Sequence, residues 1–181
     1  EHMSVRRIVA AALTFAALAA APDARAQLAS FTVEGFGGYQ NLRPNASSVA
    51  NAARGNEGTG ILGADVLAGI AGFGVGAVVD KVVSGNNGQP WSGAVLAGIL
   101  VPVTVVRLEL LGELGRRAGD FGDIFNSTGQ TFVGVRPGVS FRLVPTAIVL
   151  GVSGVVRWPT SNGDIGSPDY AIVARVGFGV F

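Results

Sequence analysis

Charged residues alternate with apolar residues through much of this chain, and within a segment the charges keep to one parity. The segment 104–114 shows the pattern most clearly. Its apolar parity holds Thr104, Val106, Leu108, Leu110 and Leu114, and its ionic parity holds Arg107, Glu109 and Glu113. Successive side chains of a β-strand point to opposite faces of the sheet. The pattern therefore predicts strands with one apolar face and one ionic face.

Eight segments of this kind are predicted as strands, and most of them are long. They are rich in Val, Ile, Phe, Tyr and Gly, and turn-forming residues separate them. Their predicted bounds are 29–40, 58–69, 72–83, 91–101, 103–115, 130–143, 147–158 and 170–181. Strands of soluble domains usually have about 5–6 residues, whereas a tilted strand that crosses a bilayer needs about 9–11. The lengths favour strands that span a membrane.

The predicted connections alternate between long and short. In chain order they are 41–57, 70–71, 84–90, residue 102, 116–129, 144–146 and 159–169. Short turns at one rim and long loops at the other are typical of up-and-down membrane barrels. We therefore predict an all-β fold, an eight-stranded antiparallel up-and-down transmembrane β-barrel.

The first 26 residues look like a secretory signal peptide. Residues 1–2 resemble a cloning remnant, a short basic stretch precedes the apolar run 8–21, and residues 24–26 match a small-x-small cleavage site. A membrane-anchoring helix is the alternative, but the apolar run is short for a span. We expect export, cleavage before Gln27 and a single barrel domain over residues 27–181.

The composition argues against several classes of chemistry. The segment 1–26 holds the single His, three of the 13 basic residues and two of the 12 acidic residues, so residues 27–181 have balanced charge and no His. Balanced charge gives no reason to expect nucleic-acid binding. The chain has no Cys, so His-assisted Ser or Cys nucleophiles are unavailable. We predict no enzymatic activity, no cofactor and no metal, and interpret the two carboxylates of 120–123 as part of a solvated loop.

The ionic parity of the predicted strands carries equal numbers of acids and arginines. An unpaired ion costs several kcal/mol to desolvate, so a small barrel can enclose such charges only if they pair. Arginine suits this role because its guanidinium makes bidentate contacts with carboxylates. The predicted interior ion network consists of Glu34, Asp65, Asp80, Arg107, Glu109, Glu113, Arg136, Arg142, Arg157 and Arg175.

Aromatic residues fall on the outward parity near both ends of the predicted strands. Two aromatic belts at the membrane–water interfaces are typical of transmembrane barrels. The belt at the long-loop end is predicted to hold Tyr39, Trp91, Trp158 and Tyr170, and the belt at the short-turn end Phe31, Phe73, Phe141 and Phe178.

The signal segment, the long alternating strands, the alternating connections and the final Phe181 together resemble the small eight-stranded outer-membrane β-barrel proteins of Gram-negative bacteria. The resemblance covers nearly all of residues 27–181 and concerns architecture. It implies an outer-membrane location, contact with outer-membrane lipid, and insertion by a barrel-assembly machinery that recognises the last strand. Phe181 departs from the family's pattern because it is out of phase with Val176 and Phe178. Either it bends around the rim or the predicted register is off by one.

Two segments fit the barrel less simply. Pro137 lies inside the sixth predicted strand and removes a ladder donor, and Gly138 follows it, so we expect a bulge there. The fourth strand has apolar residues on both parities, with Leu96 and Leu100 inward, so its register is weakly set. A rival topology of spanning helices is disfavoured because the two most apolar stretches carry charges in mid-span.

Three functions remain open on the sequence alone. The first is a non-enzymatic integral outer-membrane barrel with a structural role or with surface loops that it presents. The second is a narrow passive pore for water, ions or small solutes. The third is a secreted soluble barrel that binds an apolar ligand and turns its apolar parity inward. Phe121, Ile124 and Phe125 form the candidate loop contact patch, or else extend the neighbouring strands. The sequence identifies no external partner.

Overall fold

Eight long antiparallel strands close into a barrel in the computed structural model, which describes residues 29–41, 59–83, 89–125, 129–143, 146–161 and 164–180. The described residues form these eight long strands and the two-residue β8: β1 Ala29–Asn41, β2 Thr59–Ile70, β3 Phe73–Val82, β4 Trp91–Val103, β5 Val106–Ala118, β6 Gln130–Arg142, β7 Ile148–Ser161, β8 Asp164–Ile165 and β9 Asp169–Val180. The predicted signal segment and Phe181 lie outside the described residues.

The barrel closes between its first and last strands. Each of β1 to β6 pairs with the next strand along the chain, β7 pairs with β9, and β9 pairs with β1. The two-residue β8 pairs only with β7 and extends it beyond the ring. The predicted eight-stranded antiparallel up-and-down barrel is therefore confirmed. The described residues contain no helix that is long and apolar enough to span a membrane.

Alternation along the strands places the charges inside and the apolar residues outside. On β5, Arg107, Glu109 and Glu113 are buried, whereas Leu110 and Leu114 are about half exposed. The soluble-carrier alternative requires the opposite arrangement, and these strands do not have it. The interior also holds an apolar cluster that includes Phe36, Ile61, Leu67, Leu96, Leu100, Leu111, Phe132 and Val173.

Tight turns join the strands at one rim. Ala71 and Gly72 form the β2–β3 turn with φ of 52° and 87°, and positive φ at both central residues is the signature of the type I′ hairpin turn. The β4–β5 turn lies at residues 104–105, not at Pro102 as the sequence suggested. Pro102 instead pairs with Arg107. The prediction was wrong because a single residue cannot reverse an antiparallel pair, which takes at least two.

Pro137 interrupts hydrogen bonding without a bulge. Val135 pairs with Val156 and Gly138 pairs with Ser153, so the β6–β7 register is the same on both sides of the proline. A bulge would have added one residue to β6 and shifted the register. Proline lacks only the N–H group, and its absence weakens the ladder locally. The predicted bulge is therefore wrong.

The register of the fourth strand, which the sequence sets weakly, is defined in the structure. Leu96 and Leu100 of β4 point inward and are each 3% exposed. On β9, Val176 and Phe178 face outward, as predicted, while the out-of-phase Phe181 lies beyond the described residues.

Candidate functional site: the ion-paired lumen

The barrel topology sets strands of opposite sides against each other across the lumen. In a ring of eight strands, β1 lies opposite β5, β2 opposite β6, and β3 opposite β7. Each of these three pairs of strands is joined by an arginine and a carboxylate. An eight-stranded barrel is just wide enough for side chains to fill its interior, so side chains of this length can meet across it.

A lower cluster lies towards the short-turn rim and comprises Thr32, Glu34, Arg107, Glu109, Ser140 and Arg175. Arg107 Nη2 is 2.8 Å from Glu109 Oε1 and 3.8 Å from Glu34 Oε1, and Arg107 Nη2 donates a 3.3 Å hydrogen bond to Thr32 Oγ1. Arg107 thereby bridges β5 and β1 across the lumen.

Arg175 of β9 completes the lower cluster. Its Nη1 lies 2.8 Å from Glu109 Oε2 and 3.0 Å from Glu34 Oε2, and its Nη2 donates a 2.9 Å hydrogen bond to Ser140 Oγ. Ser140 Oγ in turn donates a 2.5 Å hydrogen bond to Glu109 Oε1. Glu109 is thus held by two arginines and a serine, which offsets the cost of burying its charge.

An upper cluster lies nearer the long loops and comprises Asp65, Asp80, Glu113, Arg136 and Arg157. Arg157 Nη2 is 2.7 Å from Asp80 Oδ2, and Arg157 Nε is 2.7 Å from Glu113 Oε2. Arg136 Nη2 is 2.7 Å from Asp65 Oδ2, and its Nη1 is 4.0 Å from Glu113 Oε1. Glu113 therefore links Arg136 and Arg157, the two arginines of the upper cluster.

Aromatic rings cover the faces of the two upper arginines. The guanidinium carbon of Arg136 lies 5.0 Å from the ring centre of Phe36, and that of Arg157 lies 4.8 Å from the ring centre of Phe132. A guanidinium over an aromatic face gains electrostatic attraction, most of all where water is excluded. The rings therefore hold the two guanidinium groups in place, and the nitrogen atoms of those groups bind the carboxylates.

The sequence interpretation missed a further ion pair, which lies outside both clusters near the long-loop rim. Arg117 Nη1 lies 2.6 Å from Asp169 Oδ2, and Arg117 Nε donates a 3.4 Å hydrogen bond to Ser92 Oγ. The sequence interpretation places both charged residues in loops, because its β5 ends three residues too early and its β9 begins one residue too late. The available signal was parity, since Arg117 is in phase with Arg107 and Asp169 with Arg175.

Arg142 does not lie among the deeply buried charges. It is the last residue of β6, below Ser140 on the same face, and it is partly exposed at the short-turn rim. Arg142 keeps the inward parity, but the strand ends there, so its side chain is less enclosed than those of the other predicted network residues. The other predicted network residues are each at most 6% exposed.

Small cavities lie beside the ion clusters of the lumen. One cavity of about 10 Å³ is lined by Gln40, Arg136, Asp169 and neighbours, and another of the same size lies by Ser30, Leu100 and Arg107. A cavity needs roughly 10–15 Å³ to hold one water molecule. Within the described residues, no group of three His, Cys, Asp or Glu side chains could hold a metal ion.

The aromatic residues predicted as belts lie on the outer surface towards the two rims. The long-loop side carries Tyr39, Trp91, Trp158 and Tyr170, and the short-turn side carries Phe31, Phe73, Phe141 and Phe178. The four Phe side chains are between 46% and 70% exposed. These rings point away from the lumen, as expected for side chains that meet lipid.

The candidate loop patch is split by the structure. Residues Phe121–Ile124 form a short 3-10 helix, so they do not extend β5 or β6. Phe121 and Phe125 are 47% and 76% exposed, whereas Ile124 is 6% exposed. Ile124 is therefore corrected from an exposed contact to a buried anchor of this segment.

Neither a protein-family model nor a curated protein matches this sequence. The solved structures do provide matches. The chain is similar to Neisserial surface protein A at 13% identity and a TM-score of 0.55, over 84% of this chain and 97% of that one. A second match is the outer membrane protein Ail of Yersinia pestis, at 16% identity and a TM-score of 0.42, over 81% and 99% of the two chains. The chain thus has the fold of the small eight-stranded outer-membrane β-barrels, as its sequence indicated.

Proposed function

We propose that this protein is a non-enzymatic integral barrel of the bacterial outer membrane, with an ion-paired interior that is structural and long loops that face outward. The observation that carries the proposal is the set of three arginine–carboxylate contacts between opposite strands. Side chains that meet across the lumen occupy the path that a solute would take. The apolar outer wall and its aromatic rims support insertion into lipid.

The remaining elements of the proposal come from the sequence and from its resemblance to the small outer-membrane barrels. We propose that residues 1–26 direct export and are removed, and that the C-terminal strand is recognised by the barrel-assembly machinery. Outer-membrane lipid is the immediate partner of the apolar wall. Arginine–carboxylate contacts join opposite strands across the lumen, so a narrow pore would need the ion clusters to rearrange.

Conductance separates a structural barrel from a narrow pore. The purified protein, shown to be folded by a heat-modifiability gel, is reconstituted in planar bilayers beside a known porin that validates the assay. We expect no discrete conductance steps above the bare bilayer. Reproducible unit steps from the folded protein would contradict the structural role and favour the pore.

Cysteine labelling tests the proposed orientation, since the chain has no native Cys. Gly119→Cys lies just past β5 at the long-loop rim, where an added Cβ would have no atom within 4 Å. Ala147→Cys is the matched control at the opposite rim, where the residue is exposed. In intact cells a membrane-impermeant maleimide should label position 119 and spare position 147, and lysis should expose both. The reverse pattern would contradict the orientation.

A further inference from the structure

The segment after β5 folds back over the outer wall of the barrel. Ile124 is almost fully buried although it lies outside the lumen. A Cβ placed on Gly93, whose side-chain position faces outward on β4, would lie 2.9 Å from Ile124 Cγ2. The absent side chain of Gly93 therefore provides the notch in which Ile124 is seated. This contact attaches the 3-10 helix to the lipid-facing surface.

Aromatic rings extend from this anchor along the same wall. The rings of Trp91 and Phe121 meet edge to face at 5.1 Å, and those of Phe121 and Phe125 at 5.6 Å. Lys81 Nζ lies 5.1 Å from the ring centre of Trp91. These side chains form one continuous ridge that stands out from the barrel near the long-loop rim.

A groove of about 750 Å³ runs between this ridge and the wall of the barrel. Its wall includes Val66, Ala77, Val95 and Leu114, which are exposed residues of β2, β3, β4 and β5. Specific ligand sites typically enclose about 300–1,000 Å³ and are mostly apolar. The groove has that size, but it opens towards lipid instead of water.

Two basic residues stand at the end of the groove that is nearest the long loops. Lys81 is an outward residue of β3 beside Trp91, and Arg116 of β5 contributes to the groove lining. Cationic side chains at the membrane surface attract anionic headgroups. The groove is apolar, and the end nearest the long loops carries positive charge. Together these features match an amphiphile with an anionic head and a hydrocarbon tail.

We propose that this groove is a specific lipid site, which holds an acyl chain of an outer-leaflet lipid and places its phosphate beside Lys81 and Arg116. The proposal goes beyond the structural role, and it rests on that role only for membrane insertion. It assigns the Phe121–Phe125 segment a task that neither strand pairing nor the ion clusters require.

The two tryptophans allow a matched quenching experiment. Trp158→Phe leaves Trp91 beside the groove, and Trp91→Phe leaves Trp158 on β7, away from it. Each variant is folded into phosphatidylcholine vesicles that contain increasing fractions of phosphatidylglycerol brominated on its acyl chains. We expect Trp91 to reach half-maximal quenching at a several-fold lower fraction of brominated lipid than Trp158. Identical curves would overturn the lipid site while leaving membrane insertion intact.

Other outcomes are equally informative. If Trp158 is quenched and Trp91 is not, protein covers the groove, for instance a second copy of this chain, and the lipid proposal is overturned. If neither tryptophan is quenched, the barrel is not inserted, and both the lipid site and the proposed function fail.

Substitutions in the groove test its apolar and charged parts separately in the Trp91-only background. Ala77→Phe fills the groove beside Val95, two residues along β4 from the Gly93 notch that seats Ile124, and should remove the preference of Trp91. Gly154→Phe is the control, a lipid-facing glycine on β7 where a Cβ would meet only Pro137 Cγ at 3.8 Å. Lys81→Gln should bring the curves for brominated phosphatidylglycerol and brominated phosphatidylcholine together. An unchanged preference in both Ala77→Phe and Lys81→Gln would overturn the proposal.

Discussion

Arg157 on β7 reaches across the lumen to Asp80 on β3, and its Nη2 lies 2.7 Å from Asp80 Oδ2 although the residues are 77 positions apart in sequence. The two strands lie opposite each other in the ring. Both side chains are almost fully buried. This contact therefore links two strands that share no backbone hydrogen bonds.

Removal of the contact between Arg157 and Asp80 should substantially lower the free energy of unfolding. Arg157→Ala leaves the Asp80 carboxylate buried without its arginine and takes one arginine from Glu113. Breaking one side of a buried ion pair typically costs about 3–5 kcal/mol. Urea unfolding of the protein in lipid vesicles, followed by tryptophan fluorescence, measures the loss. Arg142→Ala is the control at the rim and should cost about 1 kcal/mol or less; equal losses for the two variants would contradict the assignment.

The pair Arg136–Asp65 should show strong coupling. Asp65→Leu and Arg136→Met each leave one buried charge without its nearest partner, whereas the double variant removes both charges. Replacement of a whole buried ion pair by apolar residues is often nearly neutral. We therefore expect the double variant to be more stable than the sum of the single losses predicts, by about 1–3 kcal/mol in a double-mutant cycle. Additive losses would show that the two residues do not form a pair.

A charged side chain on the outer wall of the barrel, at the height of the bilayer midplane, should destabilise the protein. Val135 faces outward near the middle of β6 and is 39% exposed. Val135→Arg should lower the free energy of unfolding in vesicles by about 2–4 kcal/mol, the cost of an arginine at the bilayer midplane. Gly119→Arg in the loop is the control and should change little. A tolerated Val135→Arg would contradict contact between this face and lipid.

The pairing of β9 with β1, which closes the barrel, should depend on the absence of a side chain at Gly177. A Cβ there would overlap the carbonyl oxygen of Val33 and lie 2.6 Å from Glu34 Cα, where β9 pairs with β1. Overpacking of this kind usually costs about 1–3 kcal/mol. Gly177→Ala should weaken or abolish the heat-modifiable folded band on a gel. Gly112→Ala, whose Cβ would be 3.5 Å from Ala97 O, should retain that band.

Strand positions were readable from the sequence because alternation is a local property. Arg107, Glu109 and Glu113 share a parity, so any extended backbone sends them to one face. Strand ends were less accurate. The predicted end of β5 is too early and the predicted start of β9 is one residue too late, because Arg116, Arg117 and Asp169 look like loop residues by composition alone.

The sequence alone determined the barrel class, the inward direction of the charges and the outward direction of the aromatic residues, since each depends on the two-residue period and on segment length. The tertiary structure decided which arginine meets which carboxylate, left Arg142 at the rim, and turned Ile124 onto the outer wall at Gly93. Those outcomes depend on ring closure, which brings strands far apart in sequence to opposite sides of one lumen. No pattern within a single strand specifies which strands will face each other across the lumen.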